Sequence, residues 1–173
     1  FEFFNYYQEV FPTKNSLVVA IQSKKIIDYD LLNEVNDITN KISALPEINS
    51  IFNINKAPIL FLNNTSLIDL SNSKFETILD TNLELNSILE EFVKSPIYSN
   101  QIINDKKNTT SLIIFLEDNE KIIDLKKNKD LYLIKNSYYL KKSEIDKDRK
   151  KLINKIRVIL GDSNKDYNYY LGG

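Results

Sequence analysis

The sequence predicts an α+β fold, because short β-rich segments and amphipathic helical segments follow one another along the chain. A β-branched segment at residues 16–23 precedes a helical pattern in which apolar residues recur every three or four positions. A second β-rich segment follows almost directly, and the order strand, helix, strand then recurs in the second half. The length of 173 residues suits one domain with its own core.

The first half of the chain contains one strand-helix-strand unit. Its helix begins at Asp28 or Asp30, either of which could accept a backbone N–H as the N-cap, and it ends before Pro46. A second strand with alternating apolar residues is predicted at residues 48–55. The apolar positions that define the helix are Leu31, Leu32, Val35, Ile38, Ile42 and Leu45.

Another amphipathic helix precedes the second half. This helix is predicted at residues 82–94, and Ser95-Pro96 ends it because the residue before a proline disfavours the helical region. An apolar edge piece at residues 98–103 then leads through a polar turn into a strand at residues 110–117.

The remaining elements are a hairpin, a helix and a strand. Two short β-like pieces at residues 121–125 and 131–134 indicate a small hairpin insertion. The last helix is predicted to open at Ser143 with an acidic variant of the capping box. Gly161 is placed after it as a left-handed C′ residue, and a final strand follows at residues 166–171.

Without its insertions, the chain has the element order of the split β-α-β, or ferredoxin-like, plan. Two helices would then cover a four-stranded, mostly antiparallel sheet. An apolar and partly helical insertion at residues 56–94 lies between the two halves.

The composition argues against a catalytic or metal-binding protein. The chain has no Cys and no His, which excludes Cys-His and Ser-His-Asp catalysis and nearly all structural zinc sites. A net charge of −1 gives no electrostatic footprint for nucleic acid. We therefore expect no enzyme activity, no catalytic residues, no metal, no cofactor and no nucleic-acid partner.

The chain is expected to be an excised part of a larger protein, because it contains no Met to serve as an initiator. Its longest apolar runs, at residues 57–62 and 112–116, are far shorter than the roughly 20 residues that cross a bilayer. The aromatic-rich residues 1–14 are interpreted as a membrane-proximal lead-in, with a short amphipathic segment packed on the domain as the alternative.

Several short motifs occur in an order that is typical of one family. Residues 95–98 (SPIY), 102–105 (IIND) and 109–113 (TTSLI) resemble one continuous phrase in the extracytoplasmic loops of the resistance-nodulation-division (RND) exporters, in the MMPL-like branch. Residues 11–22, 45–52 and 152–173 resemble the opening strand, the second strand and the closing helix and strand of the same loops. Three positions depart from the family pattern: Pro12, Glu47 and Lys107.

The resemblance implies that residues 1–173 form a single porter-type domain between the first and second membrane helices of a bacterial exporter. Such a domain lies on the extracytoplasmic, or periplasmic, face of the inner membrane and forms part of the path of a proton-driven pump. Its implied partners are the membrane helices and the second extracytoplasmic domain of its own parent chain. Lipids or other amphiphiles are the implied cargo, and a homo-oligomer of the full-length transporter is one option.

The insertion supplies the candidate substrate-path residues, because it has more apolar side chains than a linker needs. Packing of this segment over one sheet face as ordinary core is the alternative. The candidates are Ile59, Phe61, Leu62, Leu67, Ile68 and Phe75.

Two other functions stay open at this point. The chain could be an extracytoplasmic ligand-binding sensor domain of a membrane signalling protein, or a secreted interaction domain without a membrane part. The sequence on either side of the chain distinguishes the first of these from an exporter, because a kinase or methyl-accepting region would follow a sensor.

Overall fold

The computed structural model describes residues 15–64, 66, 68–69, 72 and 75–172. The predicted lead-in at residues 1–14 lies outside the described residues.

The described chain forms one four-stranded antiparallel sheet, in the order β2-β3-β1-β4. β1 pairs with β3 on one side and with β4 on the other, and β2 pairs with the far side of β3. The strands are β1 (Ser16–Gln22), β2 (Ile48–Phe52), β3 (Thr109–Leu116) and β4 (Asn168–Gly172). The predicted α+β class is therefore confirmed.

Five α-helices accompany this sheet within the described residues. They are α1 (Tyr29–Ser43), α2 (Leu85–Lys94), α3 (Glu120–Lys127), α4 (Lys129–Ile134) and α5 (Tyr138–Gly161). Asp28 is the N-cap of α1, as predicted, and its carboxylate accepts the Leu31 backbone N–H at 3.0 Å. A single 3₁₀ turn, Ile54–Lys56, follows β2, so this strand ends earlier than predicted.

The core lies between one face of the sheet and the helices α1 and α5. Leu17, Val19 and Ile21 alternate along β1 and are buried on the face that the helices cover. Five of the six predicted apolar positions lie in α1 and are buried, whereas Leu45 lies beyond the end of the helix and is half-buried. Leu152 and Ile156 of α5 belong to the same cluster.

The predicted hairpin insertion at residues 121–125 and 131–134 is wrong, because these residues form α3 and α4. A short apolar run does not distinguish a strand from a helix by periodicity alone. A local polar contact stabilises the helical conformation of α3. The Asn119 side chain accepts the Lys121 backbone N–H at 2.9 Å and caps the helix.

The predicted ends of the last helix are also wrong. α5 begins at Tyr138 rather than at Ser143, and Gly161 is its last residue rather than a left-handed residue beyond it. Asp162 is the C-cap, with φ −91°. The additional N-terminal turn is held by contacts with α3 and α4 that no local capping pattern encodes.

The predicted edge piece at residues 98–103 is a compact turn beside the start of β3. The Ile102 carbonyl accepts the Ser111 backbone N–H at 3.2 Å and the Thr110 hydroxyl at 2.7 Å, and Ile103 is buried. The following polar turn places Lys107 at φ 53°, in the left-handed region where glycine is favoured.

We call residues 119–151 the arm, a helical hairpin in which α3 and α4 pack against the first half of α5. Asp124 joins all three helices of the arm. Its carboxylate accepts the Tyr132 hydroxyl at 2.7 Å, the Lys141 ammonium at 3.0 Å and the Asn128 amide at 2.8 Å. The Tyr132 hydroxyl, followed by Lys141 and Asn128, lowers the pKa of Asp124 to about 2.

The depressed pKa of Asp124 predicts how the arm responds to acid. The folded pKa lies below the model-compound value of 3.8, so the carboxylate stabilises the folded arm above that pH. This stabilisation is lost as the pH falls towards about 2. We expect the amides of residues 128–141 to lose hydrogen-exchange protection over this interval, and Asp124→Asn to show the loss already at neutral pH. Asp130→Asn is the matched control, and equal loss in both variants would contradict this role.

Candidate functional site

The six candidate residues of the insertion fall into different environments. Ile59 is fully buried and belongs to the core. Phe61 is 66% exposed and Leu62 is 43% exposed, and the two are consecutive in one surface turn. Ile68 is 71% exposed and Phe75 is half-buried. Leu67 lies outside the described residues.

A buried carboxylate fixes the turn that carries Phe61 and Leu62. Glu91 of α2 accepts the backbone N–H of Leu60 at 2.7 Å and that of Phe61 at 3.1 Å through Oε1. Its Oε2 accepts the backbone N–H of Leu62 at 2.8 Å. Three consecutive amides therefore point at one charge, as at the N-terminus of a helix. This arrangement directs two apolar side chains towards solvent and holds them there.

Glu91 itself is held by the packing of α2. Ile88, Leu89 and Phe92 bury one side of this helix, so the carboxylate at position 91 is only 8% exposed. The Phe92 ring makes an edge contact with Tyr98, with ring centroids 5.0 Å apart.

Tyr98 connects α2 to the segment that precedes the Phe61 turn. Its hydroxyl donates a hydrogen bond to the Pro58 carbonyl at 3.1 Å. Burial, and then the negative charge of Glu91, raise the pKa of Tyr98 to about 12. The hydroxyl therefore stays protonated and remains a donor throughout the physiological range.

A groove of about 530 Å³ lies between the Phe61 turn and α2. Its lining combines the two apolar side chains with polar groups of α2: Phe61, Leu62, Ser87, Glu90, Glu91 and Lys94. Glu90 pairs with Lys107 and, at 3.8 Å, with Lys94, and its pKa is lowered chiefly by Lys107. The groove thus offers an apolar wall beside a charged rim, which suits contact with an amphiphilic molecule.

Glu91 is not among the residues that the sequence predicts for this site. The pair Glu90-Glu91 lies between the apolar residues Leu89 and Phe92, and two adjacent charges favour an exposed acidic edge. A signal was present, because Glu91 lies three residues after Ile88 and therefore shares the buried side of the helix. A carboxylate at such a position needs nearby donors, since an isolated buried charge is costly.

No group of three or more His, Cys, Asp or Glu side chains in the described part of the chain is arranged to hold a metal ion. Among the helices of the described residues, none combines the length and apolar character that crossing a membrane requires.

Comparison of the chain with family models, with characterised proteins and with solved structures gives no match. The functional proposal is therefore based on the fold and the geometry of the described residues.

Proposed function

We propose that the chain is the extracytoplasmic porter-type domain of an RND-type exporter, and that it forms part of a wall along which lipids or other amphiphiles pass. In this role the domain has no catalytic residue of its own. The proton relay would belong to the membrane helices of the parent protein, as the family resemblance implies.

The observation that carries the proposal is the position of the two ends of the described chain. β1 begins at Ser16, and Gly172 near the end of β4 lies opposite Val18 of β1. Residues opposed across an antiparallel pair are about 5 Å apart. The described chain therefore enters and leaves the domain at one end of the sheet, as expected of a loop that connects two membrane helices.

The strand pairing also supports the proposal. Helix α1 connects β1 to β2, and β3 lies between these two strands. Helix α5 connects β3 to β4, and β1 lies between that second pair. Two interlocked strand-helix-strand units of this kind are what the split β-α-β plan of a porter-type domain predicts.

The Phe61 turn is the part of the domain that we assign to the substrate path. Its two apolar side chains are exposed although the rest of the turn is tightly hydrogen-bonded. An exposed aromatic side chain on a preorganised turn offers contact area at a low entropic cost.

We expect the double substitution Phe61→Ser and Leu62→Ser to lower transport of an amphiphilic substrate by the full-length parent protein about tenfold or more, through loss of apolar contact. Transport into proteoliposomes measures this effect. The fold should be unaffected, because both side chains are exposed.

Val158→Ser is the matched control for that experiment, because Val158 is 63% exposed and lies on α5. We expect this variant to transport normally. Normal transport by a well-folded Phe61→Ser, Leu62→Ser variant would exclude the turn from the substrate path.

A further inference from the structure

The end of the arm combines exposed apolar side chains with positive charge. We call residues 126–142 the arm tip. Five of its large apolar residues are exposed, and two of these are more exposed than any other large apolar side chain in the described residues: Ile134 at 80% and Tyr139 at 75%. Leu140 is 71% exposed, Leu131 46% and Leu133 41%. An isolated exposed leucine needs no explanation, but such a cluster marks an interaction surface.

The charge of the arm tip is unlike that of the whole chain. The tip contains six lysines and one acid, Asp130, which gives it a net charge of +5 where the chain as a whole carries −1. Its lysines are Lys126, Lys127, Lys129, Lys135, Lys141 and Lys142. Of these, Lys141 forms an ion pair with Asp124, and the other five have no ion-pair partner among the described residues.

A hydrogen-bonded turn between α4 and α5 holds the apolar side chains of the arm tip in place. Asn136, at φ 54°, is the left-handed residue between α4 and α5. Its N–H donates to the Leu133 carbonyl at 3.1 Å, and the Ser137 N–H donates to the Tyr132 carbonyl at 2.9 Å. These two bonds form the Schellman arrangement that ends a helix. Ile134 and Tyr139 therefore sit on either side of a fixed turn.

The arm tip projects from the end of the sheet where the described chain begins and ends. Lys155 of α5 pairs with Glu47 at 2.6 Å, immediately before β2 begins at that same end. At 1.5 Å per residue, α5 from Tyr138 to Lys155 extends about 25 Å past this point. In the proposed parent protein both ends of the domain lead into membrane helices, so the arm tip points towards the bilayer.

We propose that the arm tip binds the surface of a bilayer containing anionic lipids. The lysines complement the negative charge of the lipid headgroups, and Ile134, Tyr139 and Leu140 enter the boundary between headgroups and acyl chains. Tyrosine at this depth keeps its ring in the apolar layer and its hydroxyl in water. The direction of the arm tip towards the bilayer rests on the proposed function, but the inference goes beyond that function because it assigns the tip a lipid contact of its own.

The absence of Trp from the chain makes a direct measurement possible. The variant Tyr139→Trp places one fluorescent reporter at the tip. We expect its emission to shift to the blue with vesicles of phosphatidylcholine and phosphatidylglycerol, and to shift little with phosphatidylcholine alone. Raising the salt concentration should weaken the binding, because charge drives it.

Further substitutions in the reporter background separate the charged from the apolar contribution. We expect Lys135→Gln with Lys142→Gln to weaken binding about fivefold for each lysine removed. Ile134→Ser with Leu140→Ser should weaken it by about tenfold or more, so that the blue shift requires correspondingly more lipid. Ile97→Ser is the control, since Ile97 is 62% exposed and lies outside the arm.

Four outcomes would overturn this inference. They are no blue shift with anionic vesicles at low salt, equal binding to neutral vesicles, an unchanged affinity in the Ile134→Ser, Leu140→Ser variant, and an equal loss in Ile97→Ser. Tip-dependent self-association without vesicle binding would instead assign the surface to a protein contact. A failure here leaves the transport assay on Phe61 and Leu62 unaffected, so the two proposals fail separately.

Discussion

Replacement of Phe92 by alanine is expected to lower the free energy of unfolding by about 3–5 kcal/mol, which is the usual cost of removing a buried aromatic side chain. Phe92 is fully buried and is among the largest side chains of the core. Its ring also packs against Tyr98, whose hydroxyl donates a hydrogen bond to the Pro58 carbonyl. Urea denaturation followed by circular dichroism measures the change as a lower midpoint with an unchanged slope.

The neighbouring substitution Val93→Ala is the control for this prediction. Val93 lies on the same helix but is only partly buried, so its truncation should cost clearly less. A cost below about 1 kcal/mol for Phe92→Ala, in the range of ordinary surface substitutions, would contradict the packing described for α2.

Replacement of Glu91 by glutamine is expected to destabilise the protein by about 2–4 kcal/mol, because three backbone donors lose a charged acceptor. An amide can present only one oxygen to the three N–H groups that the carboxylate now satisfies. The Phe61 turn should loosen as well. Faster hydrogen exchange at the amides of Leu60, Phe61 and Leu62 measures that local effect.

The matched variant Glu84→Gln lies at the exposed N-terminal end of α2 and makes no side-chain capping bond there. We expect it to change the stability by no more than about 0.5 kcal/mol. Equal exchange rates for the three amides in Glu91→Gln and in the unsubstituted protein would show that the carboxylate does not hold the turn.

The parts of the fold that follow from periodicity were predictable from the sequence. The apolar stripe of α1 and the β-branched segment of β1 are local patterns, and both are seen in the structure, where Asp28 is the one of the two candidate residues that caps α1. Residues 121–125 and 131–134 of the arm are predicted as a β-hairpin because their apolar runs are too short to show a helical period. Asn119 caps α3 locally, but the packing of the three helices of the arm depends on Asp124, which contacts residues 8 and 17 positions further along the chain.

The candidate site was predictable only in part, for the same reason. The insertion contained apolar residues with no assigned place, and the sequence could not divide them between core and surface. Ile59 belongs to the core, whereas Phe61 is exposed. The difference arises because the Glu91 carboxylate accepts the backbone N–H groups of residues 60–62. That contact spans about thirty residues of sequence, so it depends on how α2 packs.

The proposal that this domain belongs to an RND-type exporter is best tested by sequencing the reading frame on both sides of Phe1 and Gly173. We expect one membrane helix before the domain, a block of membrane helices after it, and then a second extracytoplasmic domain of similar pattern. A kinase or methyl-accepting region after the domain would rule out an exporter and identify a sensor instead.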